Sequence, residues 1–173
     1  MTVSYRAPRA DEAEALGALG LGTFVETFGH LYSPENLALF EEQSYAPEVI
    51  AAEMANPNRR YLVAEEAGRL IGYCKVGFEQ TLDYDAGDRK IAELKQIYIY
   101  ASHQGSGVAQ VLTDWAVEQA IAAGADGLLL SVYHDNPRGQ RFYAKNGFEH
   151  VADTFFMVGN HRDDEYLYLK PLR

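Results

Sequence analysis

Apolar residues follow one spacing in the first third of the chain and another in the rest, and the change falls near the turn Asn56-Pro57-Asn58. TVSYRAP (2–8) alternates apolar and polar positions and predicts a first strand, after which Asp11, Glu12 and Glu14 open a helical stretch in the favourable dipole orientation. Ser33-Pro34-Glu35 predicts a helix start, with Ser33 as cap and Pro34 in the first turn, running on through NLALFEEQ. PEVIAAEMA predicts another short helix. RYLVAEE, a turn at Gly68 and RLIGYCKVGFEQ then predict a hairpin, and AELKQIYIY a further strand beyond the polar stretch 83–88. Val108, Val111, Leu112 and Trp115 stand at the spacing of a buried helix face, closed by Gly124. GLLLSVY is a continuous apolar run, as in a strand covered on both faces. Asn136-Pro137 opens a helix that Asn146-Gly147 stops, and FEHVADTFFMVG and DEYLYLKPL supply two last strands.

This order predicts an α/β protein with a mixed sheet, and 173 residues without a repeat or low-complexity linker fit a single domain over 1–173. The uncharged runs fall short of the ~20 residues of a membrane span, and MTVSYRAPRADEAEAL lacks the basic and apolar regions of a secretory signal. A lone cysteine, Cys74, allows no internal disulfide, and the expected compartment is the cytoplasm. The histidines, His30, His103, His134, His150 and His161, show no metal-ligand spacing, so no metal is expected.

A net charge of −10 argues against nucleic acid as a partner. Its distribution is uneven: Met1–Asn58 carries nine acids against two bases, while Arg89, Lys90, Lys95, Arg138, Arg141 and Lys145 gather later. That division suits a cationic ligand meeting an anionic one, and it suits equally a set of solvated acidic helix faces.

The anion has a candidate site. In HQGSGVAQVL (103–112) two glycines flank Ser106 just before a helix, whose first turn offers unpaired N–H groups and the positive end of its dipole. Alone, the loop is equally an ordinary glycine-rich turn. A nucleotide P-loop would need Lys-Ser/Thr where Val108-Ala109 stands, and a dinucleotide fingerprint would need glycine at Gln110. The pattern that remains, Q-x-x-G-x-A at Gln104, Gly107 and Ala109, resembles the pyrophosphate loop of the GNAT superfamily of N-acetyltransferases. LKQIYIYASHQGSGVAQVLTDWA is similar to that superfamily's acetyl-coenzyme A motif. NPRGQRFYAKNGF resembles its second motif, with Gly139 in place of the usual Ala. TFVETFGHLYSPENLALF, ELKQIYIY and VGNHRDDEYLYLKPL further resemble the bacterial PaiA-like spermidine/spermine acetyltransferases, although His134-Asp135 stands where that branch often has Trp-Glu and Ser106 where it has Lys or Arg.

The resemblance implies a GNAT fold: a mostly antiparallel sheet of about seven strands, flanked by helices and splayed between strands four and five. It implies acetyl-coenzyme A as co-substrate and transfer of acetyl to a primary amine through a tetrahedral intermediate. The narrower resemblance makes a polyamine the first acceptor to expect. Peptide, amino-acid or aminoglycoside amines are the enzymatic alternatives, and a non-catalytic acyl-coenzyme A-binding regulator is the other class. The amine arrives as an ammonium with a pKa near ~10.4 and must lose a proton before attack. The resemblance offers Glu93 for that proton, directly or through water, although Glu93 could instead pair with Lys95. It implies Tyr143 as the acid that protonates the leaving thiolate. The backbones of Ile97, Tyr98 and Ile99 would pair with the pantetheine, with an amide, that of Ile99, at the oxyanion. Gln104, Gly105, Ser106, Gly107, Val108 and Ala109 would hold the pyrophosphate, with His103 or Lys95 as compensating bases. Asn136 would bond the pantetheine or cap its helix. Glu26, Tyr32 and Asn36 are the acceptor-side candidates. The expected partner is a small amine, with no nucleic acid or membrane, and the sequence leaves a homodimer open.

Overall fold

The computed structural model describes residues 2–173. Strands β1 (Val3–Arg6), β2 (Arg59–Glu66), β3 (Arg69–Gly77), β4 (Ile91–Ile99), β5 (Gly127–Tyr133), β6 (Glu149–Val158) and β7 (His161–Pro171) form one sheet in the order β1-β2-β3-β4-β5-β7-β6. Every neighbouring pair is antiparallel except β4 and β5, which run parallel. That pair is joined only at Ile91↔Gly127, Ala92↔Leu128 and Glu93↔Leu129. Beyond Glu93 the two strands part, as the resemblance implied, and the side of β4 facing β5 is left without strand partners from Leu94 to Ile99.

Helices α1 (Ala13–Phe28), α2 (Pro34–Ser44) and α3 (Pro47–Ala55) cover one face of the sheet. Leu16, Leu19, Phe24, Phe40 and Ile50 pack there against Tyr61, Val63 and Tyr73. Helices α4 (Val108–Ala122) and α5 (Pro137–Lys145) belong to the other face, where Val108, Leu112, Ala116 and Ala120 lie against Cys74, Leu94, Leu128 and Leu130. The buried stripe of α4 therefore steps by four residues through two alanines, which lets the helix lie close to the sheet. Val111, expected on that stripe, is instead 41% exposed.

Several boundaries follow from local chemistry. Ser33 caps α2 by accepting from Asn36 N–H at 3.1 Å. Ser33→Ala is expected to cost about 1 kcal/mol, lowering the melting temperature by roughly 2–4 °C for a chain of this size, with coenzyme affinity unaffected; a thermal melt paired with calorimetry checks it. At the far end of α5, Gly147 takes φ +87 and Phe148 N–H returns to Tyr143 O at 3.1 Å, which ends the helix after Lys145. The first strand stops at Arg6 rather than running to Pro8, which has no N–H to extend a ladder. The third ends at Gly77 rather than Gln80, because Thr81 and Leu82 turn their N–H groups to the Glu93 carboxylate.

Candidate active site

Where β4 and β5 separate, a cleft of about 870 Å³ passes from the loop before α4, between the two strands, to the face covered by α1 and α2. At its first end Gly105 and Gly107 adopt φ +79 and +94, and a Cβ at either would meet nothing within 4 Å. The first bond inside α4 runs from Val111 N–H to Gly107 O, so the N–H groups of Val108, Ala109 and Gln110 have no helical partner. Donors at the positive end of a helix, beside an open glycine surface, are what a phosphate requires. Gln104, Gly105, Gly107 and Ala109 all line the cleft. Val108 contributes backbone only, since its side chain is 2% exposed and packed in the core. Ser106 is turned away: its hydroxyl and its N–H both bond His103 O.

The expected compensating bases are engaged elsewhere. His103 Nε2 lies 2.6 Å from Glu66 Oε2, and Lys95 Nζ lies 2.8 Å from Glu93 Oε1 and 2.9 Å from Thr81 Oγ1. The cation that does reach the loop is Arg138, in the first turn of α5, which donates to Gln104 Oε1 at 2.6 Å and lines the cleft. Its place in the second motif, rather than in the loop, hid it from a reading of the loop alone.

In the middle of the cleft, Ile97, Tyr98 and Ile99 present the unpaired side of β4. Ile97 and Ile99 send their side chains toward the α4 core and Tyr98 toward the α1–α3 core. Asn136 caps its helix, one of its two expected roles. Its Oδ1 caps α5 by accepting from Gly139 N–H at 3.0 Å, and the residue also lines the cleft. A Cβ at position 139 would stand 2.6 Å from Asn136 Nδ2, which accounts for glycine there. Tyr143, on α5, is half-buried between Phe142 and Phe148 and faces the cleft. Burial pushes its hydroxyl above the ordinary phenol range, with Cys74 and Tyr98 adding to the rise, so it remains protonated at neutral pH.

Glu93 is placed differently from the other expected residues. It is 1% exposed and is not among the residues that line the cleft. Its Oε2 accepts from Thr81 N–H at 2.6 Å and Leu82 N–H at 2.7 Å, and its Oε1 accepts from Thr81 Oγ1 at 2.7 Å and Lys95 Nζ at 2.8 Å. Burial would raise its pKa, but the Leu82 amide, Lys95 and Thr81 outweigh it and hold the carboxyl below its usual range. With four donors, the carboxylate anchors the 81–82 loop.

On the acceptor side, Tyr32 lies in the cleft as expected and donates its hydroxyl to Asp163 Oδ2. Glu26 does not line the cleft; its Oε2 accepts from Ala101 N–H at 2.9 Å and so caps the turn that leads to the glycine loop. Asn36 ties α2 to the β6–β7 turn through Asn160, at 2.8 and 3.1 Å. Of the nine acids in Met1–Asn58, only Glu53 reaches the cleft, and it pairs with Lys75 Nζ at 2.9 Å. Asp11, Glu14, Glu26, Glu35, Glu41, Glu42 and Glu48 are exposed, as amphipathic helices require. The cleft's other acids, Asp163 and Glu165, come from β7, for which the sequence suggested a strand and a family resemblance but no site residue. A signal was present: in DDEYLYL (163–169) Asp163 and Glu165 share a face with Leu167, at positions where a buried strand ordinarily carries apolar residues.

The family described as acetyltransferase (GNAT) matches residues 25–148, which hold both ends of the splay, the glycine loop and Tyr143. The chain belongs to the GNAT acetyltransferase family. Its relatives include an N-acetyltransferase of Mycobacterium tuberculosis H37Rv, described as uncharacterized, that is 29% identical over 161 residues, covering 93% of this chain and 98% of the relative. Among solved structures it is similar to the PaiA N-acetyltransferase of Thermoplasma acidophilum in complex with coenzyme A, with a TM-score of 0.76 at 20% identity over 99% of each chain. It is also similar to the spermidine/spermine N-acetyltransferase SpeG of Vibrio cholerae, with a TM-score of 0.68 at 19% identity over 98% of this chain and 94% of that one. At these identities the structural likenesses speak for the fold, a GNAT sheet open between β4 and β5.

Proposed function

We propose that this N-acetyltransferase moves acetyl from acetyl-coenzyme A to a primary amine of a small cationic acceptor, with a polyamine as the best candidate. The observation that carries the acceptor class is the far end of the cleft. Phe24, Phe28, Tyr32, Phe40 and Phe156 wall it, Asp163 and Glu165 supply negative charge, and both lysines that line the cleft, Lys75 and Lys95, are paired to Glu53 and Glu93. Aromatic faces and carboxylates together favour an ammonium. A free amino acid would bring a carboxylate toward Asp163 and Glu165 with no unpaired lysine to receive it.

In this reading the N–H groups at the start of α4, Gly105, Gly107 and Arg138 hold the pyrophosphate. The unpaired side of β4 takes the pantetheine as a strand would take a neighbour. The acyl donor supplies the thioester carbon that the amine attacks. Tyr143, protonated and facing the cleft, gives its proton to the departing thiolate.

Thiol release from acetyl-coenzyme A across a panel of amines tests the acceptor class, with calorimetric coenzyme binding on the same sample. Spermidine and spermine are expected to turn over in preference to amino acids and peptide N-termini. A preference for peptides or amino acids would reject the polyamine reading, and binding without turnover of any amine would favour a regulator.

A further inference from the structure

Because Glu93 is spent on the 81–82 loop, the proton of the incoming ammonium needs another acceptor on the same face of the sheet. We propose that Glu165 is the general base of this enzyme, with Asp163 beside it receiving the charged end of the amine; this rests on the amine-acetylating reading above.

The placement comes from register. Glu165 stands opposite Tyr133, and Leu167 opposite Ser131, on the antiparallel pair β7–β5. These strands lie just past the point where β5 leaves β4, so Ser131, Tyr133 and Glu165 line the cleft at its acceptor end. Tyr166, the next residue, packs into the α4 core, which leaves Glu165 on the opposite face, toward α1 and α2. Glu93 began on the same face, but the loop through Thr81 and Leu82 closes over it. The surroundings of the two carboxylates therefore differ in kind. Lysine and amide donors fill the lone pairs of Glu93. The groups that act on Glu165 are the Ser131 hydroxyl, Asp163, and the phenols of Tyr32 and Tyr98, with no lysine or arginine among them. Burial raises the Glu165 pKa, the Ser131 hydroxyl offsets part of that rise, and Asp163 adds to it. A base at neutral pH benefits from that direction.

Asp163 supplies an independent sign that a cation belongs here. Its residue is 4% exposed and lines the cleft. Oδ2 accepts from the Tyr32 hydroxyl, but Oδ1 has no hydrogen-bond donor in the protein among the described residues. His161 Nε2 approaches Oδ1 to 3.1 Å, outside hydrogen-bond alignment. A buried carboxylate oxygen left without a donor is costly, and an ammonium or amine N–H would satisfy it.

The protons and electrons balance as follows. A Glu165 carboxylate oxygen takes one proton from the ammonium, freeing the nitrogen lone pair. The nitrogen forms its bond to the thioester carbon, and the carbonyl π pair moves to oxygen. As that pair returns, the C–S bond breaks. The sulfur takes the Tyr143 proton, and the second N–H proton returns to Tyr143. The proton on Glu165 leaves to solvent, giving amide, free thiol and one proton.

The test is a set of pH–rate profiles of kcat/KM for the native enzyme, Glu165→Gln and Glu93→Gln, with calorimetric coenzyme binding and thermal melts on each. The native enzyme is expected to show an acid limb above the range of an ordinary carboxylate, since Glu165 must be ionised to accept a proton. Glu165→Gln is expected to lose about 100-fold at pH 7. Its rate should then climb about tenfold per pH unit toward the pKa of the free amine, ~10.4, where no base is needed, while coenzyme affinity stays native. Glu93→Gln is expected to melt earlier and keep the acid limb. An active native enzyme whose Glu165→Gln variant keeps both its rate and its acid limb overturns this assignment alone. So does loss of the limb in a folded, coenzyme-binding Glu93→Gln variant. A native enzyme that binds coenzyme and turns over no amine overturns the functional reading, and this assignment with it.

Discussion

Tyr143→Phe is expected to lower kcat about 100-fold, the scale of a lost general acid, equivalent to about 2.7 kcal/mol of barrier, while coenzyme affinity stays close to native. The substitution removes one oxygen and keeps the ring, so its packing against Phe142 and Phe148 survives. Burial raises the phenol pKa, which keeps the proton on the oxygen at neutral pH, and in the proposed step the N–H proton of the amine replaces the one passed to sulfur. Steady-state turnover with calorimetry on the same preparation reads both quantities. A variant that turns over at the native rate would show that the thiolate is protonated by another group.

Gly107→Val is expected to weaken coenzyme binding 100-fold or more. At φ +94 a β-branched residue is strained, at about 1–2 kcal/mol or above. Its side chain would also occupy the open surface beside the N–H groups of Val108, Ala109 and Gln110. Losing two charge-assisted hydrogen bonds at about 1.5–3 kcal/mol each accounts for a loss of that size. Gly68→Val is the control. Gly68 has φ +78 and equally open surroundings, but it sits in the β2–β3 turn, outside the cleft. It should lose comparable stability and keep its coenzyme affinity. If Gly107→Val binds as tightly as the native chain, the loop is not the phosphate site.

The coenzyme half of the site was more legible in the sequence than the acceptor half, and the reason is physical. Phosphate recognition here uses backbone amides, and the glycines and helix start that expose them are local and contiguous: Gly105, Gly107 and the first turn of α4 lie within a few residues. The same locality made the Asn136 cap and the glycine stops at Gly124 and Gly147 readable. The acceptor end is assembled by tertiary contact. Asp163 meets Tyr32 across 131 positions, and Glu165 reaches the cleft only because β7 inserts beside β5. The first third does contribute Phe24, Phe28, Tyr32 and Phe40 to the cleft, but of its dense acids only Glu53, because charge on an exposed helix face counts in composition as much as charge in a cleft. The setting of Glu93 was hidden for a related reason: nothing in ELKQIYIY shows that Thr81 and Leu82 will fold over it. Arg138 stood out only as one of several gathered bases, because it meets Gln104 from another motif.

The three residue pairs that join β4 to β5 are the seam between two antiparallel half-sheets, β1–β4 and β5–β7. A ligand lying along the unpaired part of β4 and touching α4 and α5 binds both halves, and so acts as a staple on the folded state. Coenzyme at 100 times its dissociation constant stabilises the protein by about 2.7 kcal/mol through mass action. The joint that the fold leaves short is thus the one a bound co-substrate would span, and the melting temperature is expected to rise with added coenzyme.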